Sequence, residues 1–184
     1  VLRQIFDCLV VWLSPILSFT AEEAWSHDAL ADTDSVHLKT MSDLPDTWLD
    51  KKLAGEWFGI RKVRSVVLGA IEVERNNKTL GSSLEAHPVI TVKDPNLADL
   101  LGRVNMADIC ITSRCSIENG NAKDTDFTLD NVADVSVYVN RAEGNKCERC
   151  WKILPEVGTD PDFPNLTLRD ADAVRWFLEH RQAA

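Results

Sequence analysis

Trp57-Phe58-Gly59-Ile60-Arg61-Lys62-Val63-Arg64-Ser65-Val66-Val67-Leu68-Gly69-Ala70-Ile71-Glu72-Val73-Glu74-Arg75 contains no proline, and its apolar side chains recur three and four residues apart. That period belongs to an α-helix with one buried face. Extended to both sides, the pattern predicts a helix from about Trp48 to Asn76, the longest in the chain, with Leu53, Trp57, Ile60, Val63, Val67 and Ile71 as its apolar stripe. Arg61, Arg64 and Arg75 fall within about 60° of one another at the standard pitch and border that stripe. Two readings of this edge stay open. It is a solvated flank with snorkelling arginines, or an edge that contacts phosphates, since guanidinium matches phosphate bidentately.

Toward the N-terminus the pattern stays helical. Leu2, Ile5, Phe6, Leu9, Trp12 and Leu13 recur at helical spacing, and Ser14-Pro15 suits the start of a new turn. Thr20-Ala21-Glu22-Glu23 has the form of a capping box opening a short helix through Trp25. Residues 28–46 are polar, interrupted by Pro45, and read as a loop. Beyond Gly81 the pattern changes. His87–Val92 reads as a strand, Asn96–Arg103 as a short helix announced by Asp94-Pro95, Ala107–Ile117 as a second strand and Val132–Asn140 as a third. On this reading Cys110 and Cys115 sit on strands as small hydrophobes.

The charge is segmented in the same way. The 184 residues carry a net −9, which excludes a general nucleic-acid binder. Yet residues 51–80 hold seven basic against three acidic side chains, and residues 141–152 hold four against two. Between them, residues 81–140 hold four basic against nine acidic. A selective anionic partner on two local patches fits this distribution. The longest apolar run, Cys8–Leu13, is too short to span a bilayer, and no signal or transit peptide is visible. Five cysteines with one recognisable pair do not make a disulfide framework, so a cytoplasmic location is expected. His27, His37, His87 and His180 show no ligand spacing, and there is no Gly-rich phosphate loop or nucleophile elbow. The chain opens at Val1 inside a helical pattern and reads as a piece of a longer protein.

One motif carries chemistry. Lys146-Cys147-Glu148-Arg149-Cys150-Trp151 contains Cys-x-x-Cys, one half of a zinc ribbon. A second Cys-x-x-Cys is expected some 15–20 residues on, and there the chain offers Thr167-Leu168-Arg169-Asp170. The spacing is kept and the thiols are absent. Three readings compete. Zinc is lost and the module is held by packing of Trp151, Ile153, Leu154, Leu166, Leu168, Val174 and Trp176; or a weak site uses Cys147, Cys150 and Asp170 plus water; or the pair is a redox motif, for which the strand–turn–helix context is missing. The tip itself is basic and aromatic. Trp151, flanked by Lys146, Arg149 and Lys152, is either core or a platform for an unpaired base, a contact worth about 1–3 kcal/mol.

Four segments in order carry a resemblance. They are Leu13-Ser14-Pro15-Ile16-Leu17-Ser18-Phe19-Thr20-Ala21-Glu22-Glu23-Ala24-Trp25; Trp57 through Arg75; Lys78-Thr79-Leu80-Gly81-Ser82-Ser83-Leu84-Glu85-Ala86; and Lys146 through Trp151 with Lys152-Ile153-Leu154-Pro155-Glu156-Val157-Gly158. Together they resemble the C-terminal portion of the bacterial isoleucyl-tRNA synthetases. The first segment is shared with several class I synthetases, whereas the third and fourth are specific to the isoleucine enzymes.

The resemblance implies a multidomain chain of α plus α/β class. It would comprise an N-terminally truncated anticodon-binding helical bundle over residues 1–80, a small α/β module over 81–140 and a degenerate zinc-ribbon-like module over 141–184. It implies an enzyme that joins isoleucine to its tRNA with ATP and Mg²⁺, whose catalytic and editing domains lie upstream. Neither the His-Ile-Gly-His nor the Lys-Met-Ser-Lys-Ser signature of the family is present, and Lys39-Thr40-Met41-Ser42, which lacks the second lysine, is a chance likeness, so this part is not catalytic by itself. The implied partners are the anticodon stem-loop of tRNA(Ile) and those upstream domains, in a monomer with no membrane. Arg61, Lys62 and Arg64 would hold the stem backbone, and Lys146, Arg149, Trp151 and Lys152 would approach the loop. Cys147 and Cys150 match the family's first zinc pair, while Thr167 and Asp170 stand where the second pair belongs, which puts zinc in question. The rival reading is a structural or interaction module without RNA contact, which the −9 charge favours. A sister synthetase fits the helical part but not the ribbon sequence.

Overall fold

The computed structural model describes residues 1–28, 31–41 and 44–181. Residues 29 and 30 of the expected loop, Ser42 and residue 43, and 182–184 of the expected C-terminal module lie outside the described residues. The architecture is mixed helix and sheet, in two compact units, residues 1–50 and 51–184.

In the first unit, α1 (Leu2–Leu13) and α2 (Ser18–Ser26) are followed by 3₁₀ turns at Val36–Leu38 and Asp46–Trp48. Val10, Val11, Ala21, Trp25 and Val36 form its core. Burying Trp25 strands no donor, because its indole N–H reaches the Thr33 carbonyl at 2.9 Å. Thr20 does not open α2 as the capping-box reading has it. Helical winding begins two residues earlier at Ser18, and the Ala21 N–H already bonds the Leu17 carbonyl at 2.8 Å. Glu22 instead holds the 3₁₀ turn, accepting from the Ser35 hydroxyl at 2.9 Å and the Val36 N–H at 3.0 Å.

The second unit opens with α3 (Lys51–Asn76), three residues later than the periodicity predicts because Asp46–Trp48 forms its own turn. Then come β1 (Ala86–Val92), α4 (Pro95–Gly102), α5 (Met106–Cys110), β2 (Ser116–Asn119), β3 (Phe127–Leu129) and β4 (Val132–Arg141). The strands form one sheet in the order β2-β1-β4-β3. β1 and β2 are parallel, which requires the crossover that α4 and α5 supply. The other pairings are antiparallel. From Ile60 onward the α3 stripe is buried with Ile90, Val92, Val135 and Val137 of the sheet. Gly69 allows close approach here, since a Cβ at that position would lie 2.7 Å from the Phe127 ring.

The strand expected over Ala107–Ile117 is instead a helix, a turn and a strand. Asn105 caps α5 by accepting from the Asp108 N–H at 3.2 Å, and Ile111 ends it in the left-handed region at φ 58°. The cap satisfies amides locally and overrides the β-branched run. Cys110 therefore closes a helix and Cys115 precedes β2; neither sits on a strand. Both are reduced, and burial pushes their thiols up to about 11 and about 12.

Past β4 the chain makes a two-stranded hairpin, β5 (Asn145–Lys146) with β6 (Ile153–Leu154), and ends in α6 (Leu168–His180). Gly144 (φ 116°) enters the hairpin where a Cβ would fall 2.2 Å from the Leu154 carbonyl carbon.

Candidate nucleic-acid interface

The motif Lys146–Trp151 folds as a tight knuckle between β5 and β6. The Cys147 N–H bonds the Lys152 carbonyl at 2.8 Å, and the Trp151 N–H bonds the Cys147 carbonyl at 3.1 Å. Closing so short a loop puts Trp151 in the left-handed region at φ 64°, a strained position for a bulky residue. Its side chain is 60% exposed. The Lys146 ammonium lies 5.5 Å from the Trp151 ring centroid. Arg149 is also exposed, with its guanidinium 3.6 Å from the Asp170 carboxylate.

Cys147, Cys150 and Asp170 converge beneath the knuckle, with their donor atoms all within 4.8 Å of one another. The Cys147 thiol is buried and lies 3.3 Å from Asp170 Oδ2 as a donor. Burial pushes the Cys150 thiol up to about 11, and its contact with Asp170 acts in the same direction. For Cys147 burial acts upward too, but the N–H groups of Cys150, Thr167 and Arg149 outweigh it and hold the thiol below its ordinary value. Desolvation likewise opposes the Asp170 charge, and hydrogen bonds from Cys150, Cys147 and Thr167 with the nearby Arg169 win, so its carboxyl stays below the usual range.

These three side chains could hold a metal ion. Among the described residues they do not make a closed structural zinc site, which takes four protein ligands. The fourth position is Thr167, and its hydroxyl is committed elsewhere: it is the N-cap of α6, accepting from the Asp170 N–H at 3.2 Å. The module has other ties. The Glu148 N–H bonds the Asn165 carbonyl at 3.0 Å, and buried Asp160 accepts from Arg175 at 2.7 Å and from the Phe163 N–H at 2.9 Å. The expected packing is only partly found, since Trp151, Leu168 and Trp176 are exposed.

The seven cationic and aromatic candidates separate into three groups. Arg61 and Lys62 are exposed on α3, with Lys62 over the Phe58 ring at 4.7 Å. Lys146, Arg149 and Trp151 come together at the knuckle. Arg64 turns to α5, where its Nε–H donates to the Ile109 carbonyl at 2.8 Å, and Lys152 pairs with Asp108 of the same helix. Those two clip α3 and the knuckle to α5. Sequence reasoning did not find the exposed Trp176 and Phe177 of α6 as a surface. The signal was there, since Arg169, Ala173, Trp176 and His180 recur at helical spacing.

Residues 1–90 match the family model described as the anticodon-binding domain of tRNA ligase. Over 95% of its length this chain is 46% identical to the isoleucine–tRNA ligase of Agrobacterium fabrum.

The chain is a relative of isoleucine–tRNA ligases.

The isoleucine–tRNA ligase of Mesorhizobium japonicum is 47% identical over 93% of the chain, and that of Bartonella henselae 44% over 95%. The chain spans 17–18% of the length of these curated relatives. Among the described residues, no helix is long and apolar enough to cross a membrane.

Proposed function

We propose that this chain is the tRNA-gripping part of an isoleucine–tRNA ligase, a cytoplasmic monomer. It divides by role into the helical anticodon-binding portion 1–80, the acidic spacer 81–140 and the ribbon-like tip 141–184. The observation that carries the reading is Trp151, held out of the knuckle by its own backbone beside Lys146 and Arg149. An aromatic face among cations suits an unpaired base of the anticodon loop. Arg61 and Lys62, exposed on α3, suit the phosphates of the stem. The acidic middle repels RNA and sets the spacing of the two grips through α5, to which Arg64 and Lys152 are tied. Isoleucine activation with ATP and Mg²⁺ belongs to the remaining length that the relatives have, together with the domains this part would dock on. On this reading the ribbon stands without a resident zinc ion, because Thr167 caps α6 and leaves three candidate ligands, Cys147, Cys150 and Asp170, where a structural site takes four.

In the full enzyme, Trp151→Ala with Arg149→Ala lowers aminoacylation efficiency by about tenfold or more. An unchanged rate would remove the tip from the anticodon. The chain also competes with the whole enzyme for tRNA(Ile), and does so less well as salt rises.

A second reading, a structural module that never touches RNA, draws on the inward engagement of Arg64 and Lys152. It requires that the chain show no competition for tRNA at any salt concentration.

A further inference from the structure

Beside the knuckle, Arg149 and α6 enclose a pocket of ≈ 450 Å³ lined by Arg149, Ala173, Val174, Trp176 and Phe177. Trp176 is 61% exposed and Phe177 54% exposed, on a chain whose net charge is −9. Adjacent exposed aromatics join into one apolar patch, and a patch rimmed by polar residues is the kind of surface that binds a partner. The Trp176 ring is already stacked on His180, with centroids 4.4 Å apart and planes 19° apart. Such a ring is pre-ordered and keeps its second face for another planar ring. At standard helical pitch Arg169, Ala173, Trp176 and His180 share one face within about 60°. That face presents a cation, a small residue, an indole and an imidazole in line. The acidic neighbours Asp172 and Glu179 fall on its flank, and Asp172 is tied to Arg175 at 3.1 Å. The Arg149 guanidinium is oriented over the pocket by its contact with buried Asp170.

We propose that this pocket is a second stacking site for an unpaired nucleotide of the RNA, with Trp176 as the platform and Arg149 and Arg169 taking the flanking phosphate charge. The proposal rests on the tRNA-binding reading and adds α6 to it. Cations beside two aromatic rings and an open face wide enough for one base fit a single-stranded nucleotide. They do not suit a duplex, whose bases are already stacked on one another. One knuckle side chain, Arg149, also lines the pocket, so the pocket adjoins the knuckle.

The test uses the 184-residue chain and two labelled RNAs, the isoleucine anticodon stem-loop and a blunt duplex of the same stem. Trp176→Ala weakens the stem-loop about 5- to 150-fold and leaves the duplex within twofold. Trp176→Phe keeps most of the affinity, and all variants keep the wild-type melting temperature because the side chain is exposed. If Trp176→Ala binds the stem-loop as tightly as wild type, the pocket proposal is overturned and the tRNA reading stands. If the wild-type chain binds neither RNA, both fall together. Cross-linking from thiouridine placed in the loop gives an answer that needs no variant. Adducts on residues 173–180 support the site, and adducts confined to 146–152 overturn it. Self-association in sedimentation that Trp176→Ala abolishes would assign the face to a second copy and overturn it too.

Discussion

Cys147-x-x-Cys150 and Thr167-x-x-Asp170 have the same spacing and opposite physics. The first pair closes a knuckle in which both thiols face the module's interior. The second starts a helix: Thr167 caps α6, and Asp170 three residues on receives the cap's hydrogen bond on its N–H. Its carboxylate then reaches the Cys147 thiol and two arginines. Where four thiolates would share one divalent ion, here the Asp170 carboxylate joins the halves by meeting the Cys147 thiol and the Arg149 guanidinium. Thiolates repel one another without a metal, whereas an anion among donors is satisfied by neutral and cationic partners.

The knuckle half is the more brittle, and Gly144→Ala breaks it most severely. The new Cβ meets Leu154 backbone atoms at 2.2 Å in a left-handed residue, at a cost of about 3 kcal/mol. Thermal unfolding reads this as a large loss of melting temperature, and retention of the wild-type value would refute the close packing.

On the capping half, Asp170→Ala leaves the buried Cys147 thiol without its acceptor, a loss of about 1–3 kcal/mol. The same group sets an acid limit. Its carboxyl sits below the ordinary 3.8, so its contribution is complete above that pH and is lost as pH falls through the folded value. Asp160 behaves alike, lowered chiefly by its hydrogen bond from Arg175. Melting temperature should hold from pH 7 to about 4 and drop below it, with a smaller drop in Asp160→Asn. An equal drop would mean that Asp160 does not contribute.

Thr167→Ala removes only the cap, about 1 kcal/mol. Thr167→Ser, which keeps the hydroxyl, should restore most of it, and a failure of serine to rescue would point to packing of the methyl group. The smallest effect belongs to zinc. Elemental analysis of protein made with zinc and never exposed to chelator should find far less than one ion per chain, and chelator should leave the melting curve in place. One ion per chain, lost in Asp170→Asn, would make the two halves a metal site after all.

Much of this was legible in the residue order. The α3 stripe declared a helix because a 3.6-residue period over that length has few other solutions, the β-branched run Val89–Val92 marked β1, and alternation marked β4. Asp94-Pro95 announced α4, with the Asp94 side chain accepting from the Asn96 N–H at 2.9 Å. Residues 107–117 misled because Ile109, Ile111 and Thr112 favour a strand by propensity, while one Asn105 cap decides for a helix. The knuckle was legible as a motif. The exposure of Trp151 and Trp176 was not, because a tryptophan's address depends on what packs beside it.

The sequence by itself determined the helical and strand periods, the segmentation of charge and the spacing of both half-sites, because these depend only on neighbours along the chain. Tertiary structure alone decided which cations remain outward. Arg61 and Arg64 are three residues apart on one helix, yet Arg64 turns to the Ile109 carbonyl while Arg61 stays exposed. Lys146 and Lys152 bracket one knuckle, yet Lys152 finds Asp108, forty-four positions earlier in the chain. A charged side chain pairs with whatever the fold brings within reach, and that distance is set by packing rather than by sequence separation.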